Sequence, residues 1–220
     1  MAGKFITFEG GEGAGKSTQA VLLERRLSQA GVRVVLTREP GGSPGAEVIR
    51  HVLLSGAARR FGPATEALLF AAARADHVDT VIAPALRAGR WVICDRFIDS
   101  TRVYQGTLGK VDMPFIRGLE RIAAGAVRPD LTLVLDLPAQ TGLVRARARR
   151  GDAVPDRFEG EDLAWHEALN AAFRRIAAED AERCVVIDAG RPAEAVAGEV
   201  WAAVSRRLDP TAAPGIGATA

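Results

Sequence analysis

Residues 5–19 read FITFEGGEGAGKSTQ, and this stretch decides the fold class. Its first part, from Phe5 to Phe8, is a short apolar run of the kind that forms a buried strand. Residues Gly10 to Ser17 match the pattern G-x-x-x-x-G-K-[ST]. Apolar residues at helical spacing begin immediately afterwards, so the order is strand, glycine-rich loop and helix. That order predicts a P-loop, which binds the phosphates of a nucleotide.

The residues of this loop have separate expected roles. The glycines let backbone N–H groups point at phosphate oxygens, and the helix N-terminus adds the positive end of its dipole. Lys16 is expected to reach the β and γ phosphates, and the Ser17 hydroxyl to hold Mg²⁺. The residues expected to bind the nucleotide here are Gly10, Gly11, Glu12, Gly13, Ala14, Gly15, Lys16, Ser17 and Thr18. The alternative is a glycine-rich turn without a ligand.

The rest of the chain alternates strand and helix patterns. Five apolar runs predict buried strands: Phe5 to Phe8, Val32 to Leu36, Trp91 to Cys94, Leu131 to Leu135 and Cys184 to Ile187. Helical spacing runs through Ser17 to Ala30, Pro44 to Leu54, Ala64 to Ala88, Met113 to Ala126, Leu163 to Ala178 and Pro192 to Leu208. The alternation predicts a three-layer α/β fold, with a five-stranded parallel sheet and helices on both faces. Ligands of such sheets bind at the carboxyl ends of the strands.

Length and composition indicate one soluble domain. A chain of 220 residues suits a single α/β domain, which we assign to residues 1–208, with a flexible tail at 209–220. No apolar run approaches the roughly 18 residues of a membrane span, and the start does not resemble a signal peptide. We therefore expect a cytoplasmic protein without membrane or nucleic-acid partners. Cys94 and Cys184 lie inside apolar runs, where we expect buried, inert thiols.

A P-loop does not name a reaction, because GTPases, ATPases and kinases share it. A GTPase would carry a guanine-reading N-K-x-D motif, but the only asparagine is Asn170, followed by Ala-Ala-Phe. Motor and transporter ATPases usually have a strand ending in Asp-Glu, whereas the third strand here ends in Asp95-Arg96. A carboxylate and a guanidinium at this strand end suit phosphate transfer between two bound anions.

Two further arginine-bearing segments fit that reaction. Arg38 follows the second strand, beside the P-loop, where it can face an acceptor phosphate, although it can also pair with Glu39 on the surface. Residues 140–157 form the second segment, which contains Arg145, Arg147, Arg149, Arg150 and Arg157. This segment can be a lid that closes over the phosphates, or a solvated basic helix face.

Six motifs together resemble the thymidylate kinase family. They are GGEGAGKST, TREPGG, EALLFAAAR, DRFIDSTRVYQG, RPDLTLVLD and the arginine-rich stretch ending in DRFE, spread over about residues 4 to 208. The resemblance implies an enzyme that transfers the γ-phosphate of Mg-ATP to dTMP, giving dTDP for dTTP synthesis. It also implies Mg²⁺ as cofactor and a homodimer. A kinase for another nucleotide and a non-catalytic nucleotide-binding module are the alternatives.

The resemblance assigns the acceptor site to two helical segments. The thymine base is expected to stack on Phe70, and Arg74, one turn later, to donate to its O4 atom. We also expect Arg74 to need a ligand acceptor, since a buried guanidinium cannot stay unpaired. Tyr104 is expected to pack under the sugar and disfavour a 2′-hydroxyl. Ser100 and Thr101 are expected near N3 of the base, and Gln105 in support. From sequence alone, Phe70 can instead be a simple core residue.

The resemblance also assigns the catalytic charges. Arg38 and Arg96 are expected to clamp the dTMP phosphate, and Asp95 to lie near Mg²⁺. Glu12 is expected to contact the sugar 3′-hydroxyl, with Glu9 in support. Because the P-loop holds no arginine, the chain resembles the bacterial type, in which the lid supplies the catalytic arginine. That residue is expected to be Arg149, or Arg150 if the alignment shifts by one. Arg145 and Arg191 are expected near the adenine.

Overall fold

A computed structural model of the chain describes residues 3–151, 158 and 160–210. Arg157, the rest of the expected lid at 152–156, and tail residues 211–220 lie outside the described residues. Five parallel strands form one sheet in the order β2-β3-β1-β4-β5. The strands are β1 (Phe5–Gly10), β2 (Val34–Arg38), β3 (Trp91–Asp95), β4 (Leu131–Asp136) and β5 (Cys184–Asp188). This confirms the predicted fold class.

Nine α-helices occur among the described residues. They are α1 (Lys16–Gln29), α2 (Pro44–Leu54), α3 (Gly62–His77), α4 (Ala83–Arg87), α5 (Ile98–Thr101), α6 (Met113–Ala124), α7 (Ala139–Arg150), α8 (Leu163–Glu179) and α9 (Ala193–Leu208). A short 3₁₀ turn covers Arg59–Phe61, and π-helical turns cover Val78–Ile82 and Arg102–Leu108. The prediction of one continuous α-helix from Ala64 to Ala88 is therefore wrong in part. The segment consists of α3, a π-helical turn and α4 in succession.

Alternation along β1 divides the core into two layers. Ile6 and Phe8 face one side, where they pack in a cluster with residues of α1 and α9 such as Leu23 and Val200. Phe5 faces the other side, in a cluster that includes residues from the π-turn to α5. Every residue of β1 is buried, as expected for the central strand of a sheet covered on both faces. The P-loop therefore starts from the most enclosed strand.

The second strand begins two residues later than predicted. The apolar run that starts at Val32 predicted a strand residue there, and Val32 is indeed buried. Its N–H instead donates to Leu27 O at 3.0 Å, and the N–H of Gly31 donates to Ser28 O at 3.0 Å. These two bonds end α1 in a Schellman motif, with Gly31 at φ 82°. Val32 is thus the apolar residue that closes the helix end, and β2 starts at Val34.

Candidate active site

Charged and polar residues mark the carboxyl ends of the strands. β1 ends at Gly10 and runs into the P-loop, β2 ends at Arg38, and β3 ends at Asp95. Arg38 pairs in register with Asp95 across the β2–β3 ladder. Parallel strands bring these ends to one edge of the sheet, so the P-loop and two of the predicted site residues meet there.

The P-loop has the backbone geometry of a phosphate cradle. Gly13 and Gly15 have φ values of 67° and 91°, which favour glycine. The Lys16 ammonium is buried and donates to Gly10 O at 3.2 Å and Gly11 O at 2.8 Å. Burial and the nearby Arg96 lower the pKa of Lys16. The loop's own carbonyls thus hold the lysine folded over the cradle.

Ser17 and Asp95 are predicted metal ligands, and they meet. The Ser17 hydroxyl donates to Asp95 Oδ2 at 2.5 Å. Hydroxyl and carboxylate oxygens are hard donors, and Mg²⁺ in phosphate-transfer sites uses one or two protein ligands beside substrate oxygens. Within residues 3–151, 158 and 160–210, no group of three or more His, Cys, Asp or Glu side chains could hold a metal ion. The pair therefore fits a substrate-associated Mg²⁺ better than a protein-caged ion.

Glu12 links the P-loop to two predicted acceptor-site residues. Its Oε1 atom accepts from Arg96 Nη2 at 2.5 Å and from the Tyr104 hydroxyl at 3.1 Å. Burial alone would raise the pKa of Glu12, but Arg96 and Lys16 lower it to about 2. Arg96 itself has φ 71°, a rare conformation for a residue with a side chain. Glu12 is thus an anion that holds both partners toward the P-loop.

Glu9 lies beneath this group, at the start of α5. Its carboxylate accepts from the N–H of Phe97 at 2.8 Å, the N–H of Ser100 at 3.2 Å and the Ser100 hydroxyl at 2.6 Å. The side chain is fully buried. Burial raises the pKa of Glu9 to about 7, and Asp99 adds to the rise. Glu9 therefore caps the helix that carries Ser100 and Thr101, which agrees with the expected supporting role.

Arg74 is fixed by the protein itself. Its guanidinium donates from Nε to Glu39 Oε2 at 2.8 Å, from Nη1 to Thr101 Oγ1 at 3.2 Å and from Nη2 to Phe97 O at 3.0 Å. The argument that Arg74 needs a ligand acceptor is therefore wrong, since three protein acceptors satisfy it. These bonds engage three of the five guanidinium N–H groups. The reading in which Glu39 pairs with Arg38 at the surface is also wrong, since Arg38 pairs with Glu47 at 2.9 Å.

One cavity of about 320 Å³ connects the P-loop to the acceptor-site residues. This volume is within the usual range for small-molecule sites, about 300–1,000 Å³. Its lining includes the predicted residues Glu12, Gly13, Gly15, Lys16, Ser17, Thr18, Arg38, Phe70, Arg74, Asp95, Arg96, Ser100, Thr101, Tyr104, Gln105 and Arg149. The lining combines P-loop residues with the aromatic side chains of Phe70, Tyr104 and Phe158, and the Tyr104 hydroxyl donates to Glu12 in the P-loop.

Comparisons with known proteins identify the family of the chain. The family model described as thymidylate kinase matches residues 8–200. The chain belongs to the thymidylate kinase family. It is 58% identical over 211 residues to a thymidylate kinase of Bradyrhizobium diazoefficiens, covering 96% of this chain and 92% of that protein. It is 60% identical over 205 residues to one of Nitrobacter winogradskyi, covering 93% and 89%.

A solved thymidylate kinase has the same fold. The crystal structure of the enzyme from Ehrlichia chaffeensis superposes with a TM-score of 0.73 at 33% sequence identity. The match covers 93% of this chain and 99% of that one. The fold therefore agrees with that of this thymidylate kinase over nearly the whole chain.

Several residues predicted from the family resemblance lie outside the cavity lining. Arg145 donates to Ala189 O at 3.1 Å, joining α7 to the turn after β5, and Arg191 pairs with Glu199. Arg150 is adjacent to Arg149 at the end of α7 but does not line the cavity. The remaining predicted P-loop residues, Gly10, Gly11 and Ala14, also lie outside the cavity lining. Of the two expected catalytic arginines, Arg149 lines the cavity and Arg150 does not, and the choice between them stays a prediction.

The sequence reasoning missed six residues of the lining, which are Glu39, Pro40, Arg50, Leu54, Phe97 and Phe158. Glu39 and Pro40 belong to the quoted TREPGG motif, so their place beside Arg38 was the available signal. Arg50 lies on α2 and donates to Pro40 O at 2.5 Å. Phe158, whose ring centroid is 5.0 Å from that of Tyr104 and 6.2 Å from that of Phe70, comes from the end of the arginine-rich stretch. Phe158 belongs to the quoted DRFE motif and Phe97 to the DRFIDST motif, whereas nothing in the local pattern marks Arg50 or Leu54 as a site residue.

Proposed function

We propose that this member of the thymidylate kinase family transfers the γ-phosphate of ATP to dTMP, giving ADP and dTDP, a precursor of dTTP. The observation that carries the proposal is the single cavity that joins the P-loop to an aromatic and arginine-lined acceptor region. A nucleotide-binding module would need only the first of these regions. The second region supplies a place for a phosphate acceptor within reach of the donor.

The acceptor region fits a pyrimidine deoxynucleotide. Phe70 lines the cavity on α3 and offers a ring for stacking, which contributes roughly 1–3 kcal/mol per base in nucleic-acid complexes. Arg74 lies one turn later and has N–H groups to spare for a base carbonyl. The Tyr104 ring, packed against Phe158 and Trp165, closes the side where we expect the sugar. These contacts support a base that stacks on Phe70 and presents a carbonyl to Arg74, and the choice of thymine rests on the family.

The charges fit in-line transfer between two phosphates. An oxygen of the dTMP phosphate forms a bond to the γ-phosphorus, the bond to the β–γ bridging oxygen breaks, and ADP leaves with that oxygen. Lys16 is placed to bind the donor phosphates, while Arg38 and Arg96 hold the acceptor phosphate. Arg149 neutralises charge on the transferring group. No general base is required, because such transfer depends on positioning and on charge neutralisation.

Ser17 and Asp95 would hold Mg²⁺, which when bound neutralises charge on phosphate oxygens. Residues 140–157 are proposed as the lid of a single domain spanning residues 1–208, with 209–220 as its tail. The described part of the lid, residues 140–151, is nearly all of α7, and the last turn of this helix is basic. Arg145 and Arg191 are proposed near the adenine, because both lie by the turn after β5.

We also propose a cytoplasmic homodimer. Among the described residues, no helix is long and apolar enough to cross a membrane. Helices α2, α3 and α6 pack side by side, and each exposes a large apolar side chain. Val48 on α2 is 68% exposed, Leu68 on α3 48% and Ile122 on α6 80%. Apolar side chains on neighbouring elements favour a face that a second copy of the chain covers.

The function is tested by coupled-assay turnover with ATP, Mg²⁺ and six acceptors: dTMP, dUMP, UMP, CMP, AMP and GMP. We expect dTMP to give the highest kcat/KM. A preference for an acceptor other than dTMP or dUMP would indicate a kinase for another nucleotide. Nucleotide binding without turnover would indicate the non-catalytic module.

The Lys16→Met variant is the matched control for contaminating kinases. It removes the ammonium while keeping a side chain of similar length, and it should lose nearly all turnover. Turnover equal to that of the wild type would mean that the measured activity does not come from this P-loop.

A further inference from the structure

The P-loop touches α7 backbone to backbone. A β-carbon at Gly142 would lie 2.3 Å from Glu12 O, and one at Gly13 would lie 2.0 Å from Gly142 O. Neither distance leaves room for a side chain. The first turn of α7 therefore packs against the middle of the P-loop at a separation that only two glycines permit.

The backbone conformation does not explain the glycine at 142. Gly13 has φ 67°, which favours glycine on its own account. Gly142 lies inside α7 with helical backbone, and its N–H donates to Pro138 O at 3.0 Å. Glycine within a helix costs about 1 kcal/mol relative to alanine. The close contact with Glu12 is thus the physical reason for a glycine at this position.

Gly142 shares a helix face with Arg149. Residues 142, 146 and 149 follow the four-and-three spacing that brings side chains to one side of a helix. Gly142 and Ala146 are the buried residues of α7, and Arg149 reaches the cavity that Glu12 and Lys16 also line. At 1.5 Å per residue, Arg149 is about 10 Å further along the axis than Gly142. The same face thus contacts the P-loop at one end and the cavity at the other.

We propose that Gly142 is a positioning residue for phosphate transfer. By allowing α7 to dock directly on Glu12 and Gly13, it sets the distance between the P-loop and the Arg149 guanidinium. A side chain at 142 would push the two apart and move Arg149 away from the phosphates that the P-loop holds. This inference rests on the proposed transfer reaction and on the proposed role of Arg149 in neutralising charge on the transferring phosphoryl group.

The first test compares Gly142→Ala with Gly198→Ala. Gly198 lies inside α9, where a β-carbon would meet no atom within 4 Å. Both changes add one methyl group to a helix. We expect Gly142→Ala to lower kcat about 100-fold, because misplacing a catalytic group by about 1 Å has an effect of that order. The KM for dTMP should change less than threefold, and Gly198→Ala should match the wild type. A Gly142→Ala enzyme within threefold of wild-type kcat would falsify the inference.

The second test asks whether the effect passes through Arg149. The variants are Gly142→Ala, Arg149→Ala and the double variant, with kcat as the readout. If Gly142 positions Arg149, adding Gly142→Ala to Arg149→Ala should lower kcat by less than about threefold. Losses that multiply in full would mean that the new methyl group acts on the P-loop alone, and would overturn the assignment.

A third variant covers the case in which Gly142→Ala does not fold. The double variant Ala148→Arg/Arg149→Ala moves the guanidinium by one residue. The arginine then no longer lies on the helix face that contains Gly142. Residues 148 and 149 are both exposed, so the exchange should be tolerated. Turnover should stay as low as in Arg149→Ala. Restored turnover would contradict the positioning role. If the wild-type enzyme does not phosphorylate dTMP, the proposed function fails instead, so the two failures are distinguishable.

Discussion

Glu39 holds two buried side chains with one carboxylate. Its oxygens accept from Arg74 Nε at 2.8 Å and contact His77 Nδ1 at 3.1 Å. On the other side of the ring, His77 Nε2 lies 2.7 Å from the Thr37 hydroxyl oxygen, within hydrogen-bonding distance. Glu39 itself lines the cavity and is 7% exposed. The orientation of Arg74 in the acceptor region therefore depends on Glu39.

We expect Glu39→Gln to raise the KM for dTMP about tenfold, with a smaller change in kcat. The amide replaces a charge-assisted bond to Arg74, and such bonds contribute roughly 1.5–3 kcal/mol. The matched control is Glu120→Gln. Glu120 is 3% exposed and accepts from Arg102 Nε and Nη2 at 2.7 Å, outside the cavity lining.

Steady-state kinetics and thermal unfolding of both variants give the answer. Both should lower Tm, because each weakens the pairing of an arginine that is buried (Arg74) or half-buried (Arg102), but only Glu39→Gln should raise the KM. An equal rise of KM in both variants would mean that Glu39 has no specific role in the acceptor region.

Some residues of the candidate site could be predicted from the sequence and others could not. Lys16 and Ser17 follow from the P-loop motif, because residue type and local spacing carry their identification, whereas Phe70 was predicted from the family resemblance. The Glu39–Arg74 bond joins residues 35 positions apart and forms only when β2 and α3 pack together. Arg50 and Phe158 also line the cavity only because tertiary packing brings their distant chain segments to it. Partners of buried charges are set by tertiary packing, which a single sequence does not display.

At the scale of elements, strands were more predictable than helices. Each predicted strand is present within two residues of its observed ends, since buried parallel strands are nearly continuous apolar runs. The helical segment Ile98–Leu108 was not predicted. Its sequence, IDSTRVYQGTL, mixes β-branched residues, a glycine and polar residues that are weak helix formers. The Glu9 carboxylate at its start supplies the missing stability.

The exposed apolar side chains of α2, α3 and α6 lead to a prediction about assembly. We expect Leu68→Glu, on the central helix α3, to convert a homodimer into a monomer, because it places a charge within the covered face. Leu163→Glu is the control: Leu163 is 41% exposed at the start of α8, on none of these three helices. Light scattering after gel filtration measures the mass. A dimer that survives Leu68→Glu would place the interface elsewhere.

At the scale of the whole molecule, Glu9 couples stability to pH. Folding raises the pKa of this carboxyl from 4.5 to about 7, so between these values the folded state binds more protons than the unfolded chain. Its contribution to stability is therefore fully present below pH 4.5 and is lost as the pH rises through 7. The loss amounts to about 3 kcal/mol, at 1.36 kcal/mol per pKa unit.

Urea unfolding at pH 5 and pH 8 tests this prediction. The free energy of unfolding of the wild type, relative to Glu9→Gln, should fall between the two pH values. Glu167→Gln, which changes an exposed carboxyl on α8, should follow the wild type at both. A relative stability that stays level or rises with pH would show that buried Glu9 is ionised throughout the range.

The position of β1 at the centre of the sheet has a consequence during synthesis. β1 leaves the ribosome first, yet one of its two neighbours is β4, and Thr7 meets Thr132 across 125 residues of chain. At about 5–20 residues per second, that partner follows roughly 6–25 s later. Throughout this interval the fully buried central strand of the sheet has an unpaired edge, which favours association with other chains. We therefore expect the nascent chain to require protection by chaperones until β4 has emerged.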